Sequence, residues 1–168
     1  MLKESVVCAP LEKLAEKKNY QLGGQYVAVN AQDEFVSSAE INRQLKEILR
    51  LHLTPVLYIN EGATRLLPLP FAERMSNLLS NMLKGIADIN IKEIVFAYSP
   101  QWLSDEVSHE DVWTLRLNHR EIREVLTDLV VSPPLGKQVQ LAYAGPLVGS
   151  LPEELAGDIN IDGVVSPQ

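Results

Sequence analysis

The chain has 168 residues, 46% hydrophobic and 22% charged, the proportions of one globular domain able to bury a core. Its formal net charge of −7 argues against non-specific nucleic-acid binding, which needs a basic surface. The single cysteine, Cys8, excludes an internal disulfide and a cysteine-based zinc site.

The opening residues, Met1–Ser5, carry neither a long apolar core nor a small-residue cleavage signal, so a secretory leader is not expected. No apolar run approaches the ~20 residues of a membrane helix, and the expectation is a soluble cytoplasmic protein. Six short apolar runs follow along the chain: Ser5–Ala9, Gln25–Ala31, Thr54–Asn60, Glu93–Ser99, Val139–Gly145 and Gly163–Ser166. Continuous apolar runs of this kind suit strands covered on both faces of a parallel sheet. Between them the spacing predicts helices over Pro10–Lys18, Ser38–Leu51, Phe71–Ile86, Ser108–Val130 and Pro152–Ala156. The fourth opens Ser-His-Glu-Asp, a good N-terminal signature, and places Val112, Leu115, His119, Ile122, Leu126 and Leu129 on one stripe. Strand–helix alternation of this length reads as parallel βαβ units. Leu66–Pro70 and Val131–Pro134 are loops by their prolines. The first, continuing to Phe71, is unusually apolar, and is either tucked under a helix or exposed as a contact patch.

Four segments, in order, resemble triosephosphate isomerases. Ile41–Glu61 is similar to the family's fourth helix and fifth strand, with Tyr58 and Asn60 replacing a Cys and a Gly before the retained Glu61. Ile94–Trp102, IVFAYSPQW, resembles the sixth strand and its loop, matching at Ala97, Tyr98, Pro100 and Trp102. Val139–Leu147 is similar to the seventh strand through Tyr143 and Gly145, and Glu154–Val165 to the last strand through Ile161-Asp162-Gly163. Val6–Pro10 resembles the second strand, and Gln25–Asp33 either the third or the fourth. The resemblance implies an α/β fold, a reduced TIM-barrel-like domain over residues 1–168 with about six parallel strands, lacking the first strand and one other.

The resemblance also implies an isomerisation through an enediolate, which needs a carboxylate base, a neutral histidine and a lysine. The base position, between Tyr98 and Pro100, holds Ser99, whose unassisted hydroxyl is too weak a base. If Gln25–Asp33 is the fourth strand, the histidine position holds Ala31; if it is the third, the histidine motif is deleted. No Asn-Trp-Lys segment supplies the lysine. At the phosphate turn Ala144-Gly145-Pro146 replaces Gly-Gly-Ser, and Pro146 removes an N–H donor. Leu103–Val107 replaces the family lid, and its Asp105 and Glu106 would repel a phosphate.

These departures lead to a non-catalytic family member acting as a binding or structural subunit, without cofactor or metal. An alternative is an enzyme with altered chemistry at the strand ends, where Asp33, Glu34, Glu61 and Ser99 are the candidate ligand contacts. A third is a triosephosphate isomerase by family label, completed by another chain. Removing two strands tightens or opens a barrel, and open sheet edges call for a homo-oligomer or a protein partner. No nucleic-acid or membrane partner is expected. His52, His109 and His119 share no i, i+4 metal spacing and are expected at the surface or core edge.

Overall fold

The computed structural model describes residues 17–31, 36–61, 67–130 and 138–166. The expected strand Ser5–Ala9 with Cys8, nearly all of the expected helix Pro10–Lys18, the carboxylates Asp33 and Glu34, and the loop Val131–Pro134 lie outside them.

The elements run β1 (Lys18–Gln21), β2 (Tyr26–Val29), α1 (Ser38–Arg50), β3 (Thr54–Ile59), α2 (Phe71–Met82), α3 (Asp88–Ile91), β4 (Val95–Tyr98), α4 (His109–Leu129), β5 (Gln140–Tyr143), α5 (Leu151–Ala156) and β6 (Gly163–Ser166). The six strands form one sheet in the order β1-β6-β5-β4-β3-β2, every neighbouring pair parallel. Such a sheet laid flat would be roughly 24 Å wide at ~4.8 Å per strand. The backbone from Gln21 to Tyr26 reaches at most about 19 Å. The sheet therefore curls, bringing its two edges towards each other. Across the hollow the rings of Tyr20 and Tyr26 meet edge to face, with centroids 6.0 Å apart. The link turns sharply where Gly23 and Tyr26 exchange both backbone hydrogen bonds, with Gly24 at φ +59°. The architecture is a curled half-barrel with helices on its convex side.

Side chains alternate along each strand. Leu57, Ile59, Phe96, Tyr98, Leu141 and Tyr143 face the helices and join the larger core with Ile41, Leu45, Met75, Leu79, Leu115 and Ile122. Val56, Val95, Ala97, Ala142 and Ala144 face the hollow with Tyr20. The hollow-facing residues are small, which leaves room for the Tyr20 ring. Its hydroxyl donates to Gln140 Oε1 at 2.8 Å.

The helices start and stop for visible reasons. Ser37, one residue before the expected cap, accepts from the Glu40 N–H and opens α1. Ser108 and Asp111 form a reciprocal capping box on α4. Helix α2 ends at Met82 rather than Ile86, because Gly85 adopts φ +76° and turns the chain into α3, which the periodicity did not indicate.

The beginning of the chain requires a correction. Lys18 was expected to end a helix, and no first strand was expected. Instead Lys18–Gln21 pairs with β6, at the place beside the last strand that a closed barrel gives to its first. Gly163 permits this: a Cβ there would collide with the Lys18 carbonyl oxygen and the Tyr20 ring. Gly163→Ala should therefore cost about 1–3 kcal/mol by overpacking. Urea unfolding should show the loss, and hydrogen exchange should show β1 deprotected; an unchanged midpoint would contradict this account of Gly163.

Candidate functional site

The C-terminal strand ends carry those positions singled out in the sequence that fall among the described residues. Ser99 follows β4, half-buried, its N–H donating to the Ile59 carbonyl at 2.8 Å. Ala31 follows β2 and is exposed. Asn30 before it holds φ +60° while its Nδ2 donates to the Tyr58 carbonyl at 3.1 Å. Ala144, Gly145 and Pro146 follow β5, but their turn folds back onto Tyr143. The Tyr143 hydroxyl donates to the Pro146 carbonyl at 2.7 Å, and a Cβ on Gly145 would lie 2.5 Å from that hydroxyl. The requirement for glycine here is thus a close approach within the chain itself.

Glu61 is the one candidate acid among the described residues, and it is not free. Its Oε1 accepts from Arg74 Nη1 at 3.0 Å, with side-chain exposures of 9% and 12%. Arg74 also donates to the Leu69 carbonyl at 3.2 Å and lies over the Phe71 ring at 5.5 Å. This fixes the Pro-rich loop: Leu67 and Leu69 are exposed, while Phe71 packs against the core. The other Glu61 oxygen accepts from the Tyr98 hydroxyl at 3.4 Å. That hydroxyl in turn accepts from Trp102 Nε1 at 3.1 Å and Asn118 Nδ2 at 3.0 Å. Burial pushes the Tyr98 hydroxyl well above its ordinary value; the Glu61 charge adds to this, and the Trp102 and Asn118 donors oppose it. It keeps its proton and donates it to Glu61.

Beneath Tyr98 lies His119, fully buried. Its ring stands edge-on to Tyr98 at 5.3 Å and tilted against Tyr143 at 6.1 Å. Neither ring nitrogen has a hydrogen-bond partner among the described residues. The expectation of a surface or core-edge histidine fails here, because the stripe that included His119 is the core stripe of α4. His52 and His109 are exposed as expected.

Sequence reasoning missed Arg74, Asn118 and Arg123. Arg123 donates to Asp162 Oδ2 at 2.6 Å and to the carbonyls of Val139 and Asn160, both at 3.0 Å, clamping α4 under β5 and β6. The available signal was an arginine one residue past Ile122 of the core stripe of a predicted helix. Asp162 also accepts from the Leu141 N–H at 2.9 Å, so this part of the resemblance is architectural. Among the described residues no three of His, Cys, Asp and Glu gather as a metal would require. None of the described helices is long and apolar enough to cross a membrane.

Parallel strands in barrel order, with the marked positions at their C-terminal ends, define a TIM-barrel-like protein. The sequence model of the triosephosphate isomerase family matches residues 20–166, and the chain belongs to that family. It is 25% identical over 149 residues to the triosephosphate isomerase of Saccharopolyspora erythraea, covering 86% of this chain and 57% of that protein. The probable triosephosphate isomerase 2 of Listeria monocytogenes is 23% identical, over 76% of this chain and 49% of its own length. That of Protochlamydia amoebophila is 26% identical, over 76% and 48%. The chain thus spans about half the length of the curated relatives it matches. The crystal structure of triosephosphate isomerase from Bartonella henselae shares the fold with a TM-score of 0.64 at 18% identity, over 86% of this chain and 59% of that one.

The buried histidine gives a prediction. Burial lowers the His119 pKa from 6.5 to about 3, with the Arg123 charge adding and the Asp158 charge opposing. The unfolded chain takes up this proton below pH 6.5 and the folded chain does not, so stability is full above 6.5 and falls as the pH drops towards 3. The slope from this group should be ~1.4 kcal/mol per pH unit. Denaturant melts from pH 7 to 4 should show that slope, and His119→Leu should remove it. An identical slope in both proteins would contradict this assignment.

Proposed function

We propose that this chain is a non-catalytic member of its family, acting as a binding or structural subunit. The observation that carries the reading is Ser99 at the family's base position, with Glu61, the one described strand-end candidate acid, committed to Arg74 and Tyr98. An enediolate route needs an acceptor that can take a carbon-bound proton and return it. Serine without an adjacent base cannot do this, and a carboxylate engaged on both oxygens is spent on holding β3 to α2 and β4. Ala31 at one alignment of the histidine position, the missing Asn-Trp-Lys, and Pro146 in the phosphate turn point the same way. The loss of catalysis follows from these residues together.

Partner binding is supported by the edges. Among the described residues β1 pairs only with β6, and β2 only with β3. A second copy of the chain or another protein covering those edges would pair the backbone N–H and C=O groups that open strands leave unpaired. The reading takes the protein as cytoplasmic and without cofactor. An enzyme with altered chemistry at the strand ends, using Asp33, Glu34 or Glu61, is the second reading.

A coupled assay with glyceraldehyde 3-phosphate and dihydroxyacetone phosphate, run in both directions on purified chain, tests the proposal. No turnover above the protein-free blank is expected. Turnover that falls at least 100-fold in Ser99→Ala would overturn it. Sedimentation should show a mass above that of one chain, or a co-purifying partner.

A further inference from the structure

The strand ends do not use the outer face of α4. That helix carries its core stripe through Val112, Leu115, His119 and Ile122. A second stripe, Trp113, Arg116, Leu117 and Arg120, faces away from the sheet at the same helical spacing. With the turn after α5 it walls a groove of about 530 Å³. Val112 and Leu117 lie along the helix side of this groove, and Trp113 and Ile159 stand out from it, 67% and 90% exposed. Trp113 and Ile159 thus form two exposed apolar posts on one groove, and a partner that covers them would remove apolar surface from water.

The charges beside these apolar posts are unevenly available. Asp158 is buried, its Oδ2 accepting from Arg116 Nε at 2.9 Å and its Oδ1 from the Asn160 N–H at 2.8 Å. Its carboxylate is spent inside the wall. Glu154 stands 3.7 Å from Arg116 Nη1. Arg116 remains half-exposed, and Arg120 is exposed with no partner among the described residues. The groove therefore offers the Arg120 guanidinium near a Trp ring, with Arg116 held by its two carboxylates. Trp and Arg are the side chains that most often carry binding energy when a partner desolvates them.

We propose that this groove binds an acidic peptide segment of a partner protein, with one apolar side chain held between Trp113 and Ile159 and a carboxylate on Arg120. A carboxylate matches the planar guanidinium fork of Arg120, the lining charge that has no opposite partner among the described residues, whereas Arg116 is already shared by Asp158 and Glu154. The site lies on the helical side of the sheet, so it stands whether or not the strand ends turn over a substrate.

The test is fluorescence anisotropy on the full chain with labelled hexapeptides of sequence Glu-Glu-Leu-Phe-Glu-Asp and Lys-Lys-Leu-Phe-Lys-Lys. The acidic peptide should bind saturably and the basic one should not, with affinity falling as salt rises. Trp113→Ala and Arg120→Glu should each weaken binding at least ten-fold, while Arg50→Glu on α1 should leave it unchanged. Far-ultraviolet circular dichroism confirms that the variants fold. Equal binding of the two peptides, no saturable binding of the acidic one at millimolar concentration, or equal affinity in all variants would overturn the proposal. So would conversion of an oligomer to a single chain by Trp113→Ala, which would make the groove an interface between copies.

Discussion

The hydroxyl of Tyr98 is the point on which the strand ends depend. It sits at the end of β4, donates to the Glu61 carboxylate after β3, and accepts from Trp102 in its own loop and Asn118 on α4. A buried phenol without partners would cost a few kcal/mol, so these four groups stand or fall together. Because Glu61 is also paired to Arg74 at the start of α2, the same node fixes the angle at which α2 leaves the sheet. Rings of Phe71 and His119 close on Tyr98 from two helices, at 6.1 and 5.3 Å.

Seen from this node, the residues shared with the family divide by physical task. Tyr98 and Trp102 hold a loop, Gly163 lets β1 approach β6, Asp162 ties β5 to α4 through Arg123, and Gly145 fits against Tyr143. Each of these shapes the half-barrel. The departures, Ser99, Ala31 and Pro146, fall at the ends of β4, β2 and β5, where the family resemblance would call for a proton acceptor, an electrophile (Ala31 on the fourth-strand alignment) and a hydrogen-bond donor to phosphate. The proposed non-catalytic role rests on this division.

Much of the fold was legible because periodicity reports burial. The valine-rich runs gave β3 to β6 to within two residues, and the stripe on α4 gave its core face. β1 was not legible: Lys-Asn-Tyr-Gln has one apolar residue, and only Tyr20 points into the hollow, so the run lacks the signal of a strand covered on both faces. α3 has a single turn and no period to read. For the site, sequence placed Glu61 at a strand end but not its engagement, since Arg74 lies on the next helix beyond a loop whose path is tertiary. His119 sat on a core stripe, yet its polarity suggested an edge. Burial without a partner is visible only once Tyr98 and Tyr143 are in place.

On the proposed reading Glu61 holds the architecture rather than serving chemistry. A double-mutant cycle with Glu61→Gln and Arg74→Met, read by denaturant unfolding, tests it most directly. Breaking a buried pair from one side should cost about 3–5 kcal/mol, because the other charge is left without compensation. Removing both should cost far less than the sum of the single changes. Single variants as stable as the parent, with additive effects near zero, would contradict the claim and return Glu61 to the list of free strand-end acids.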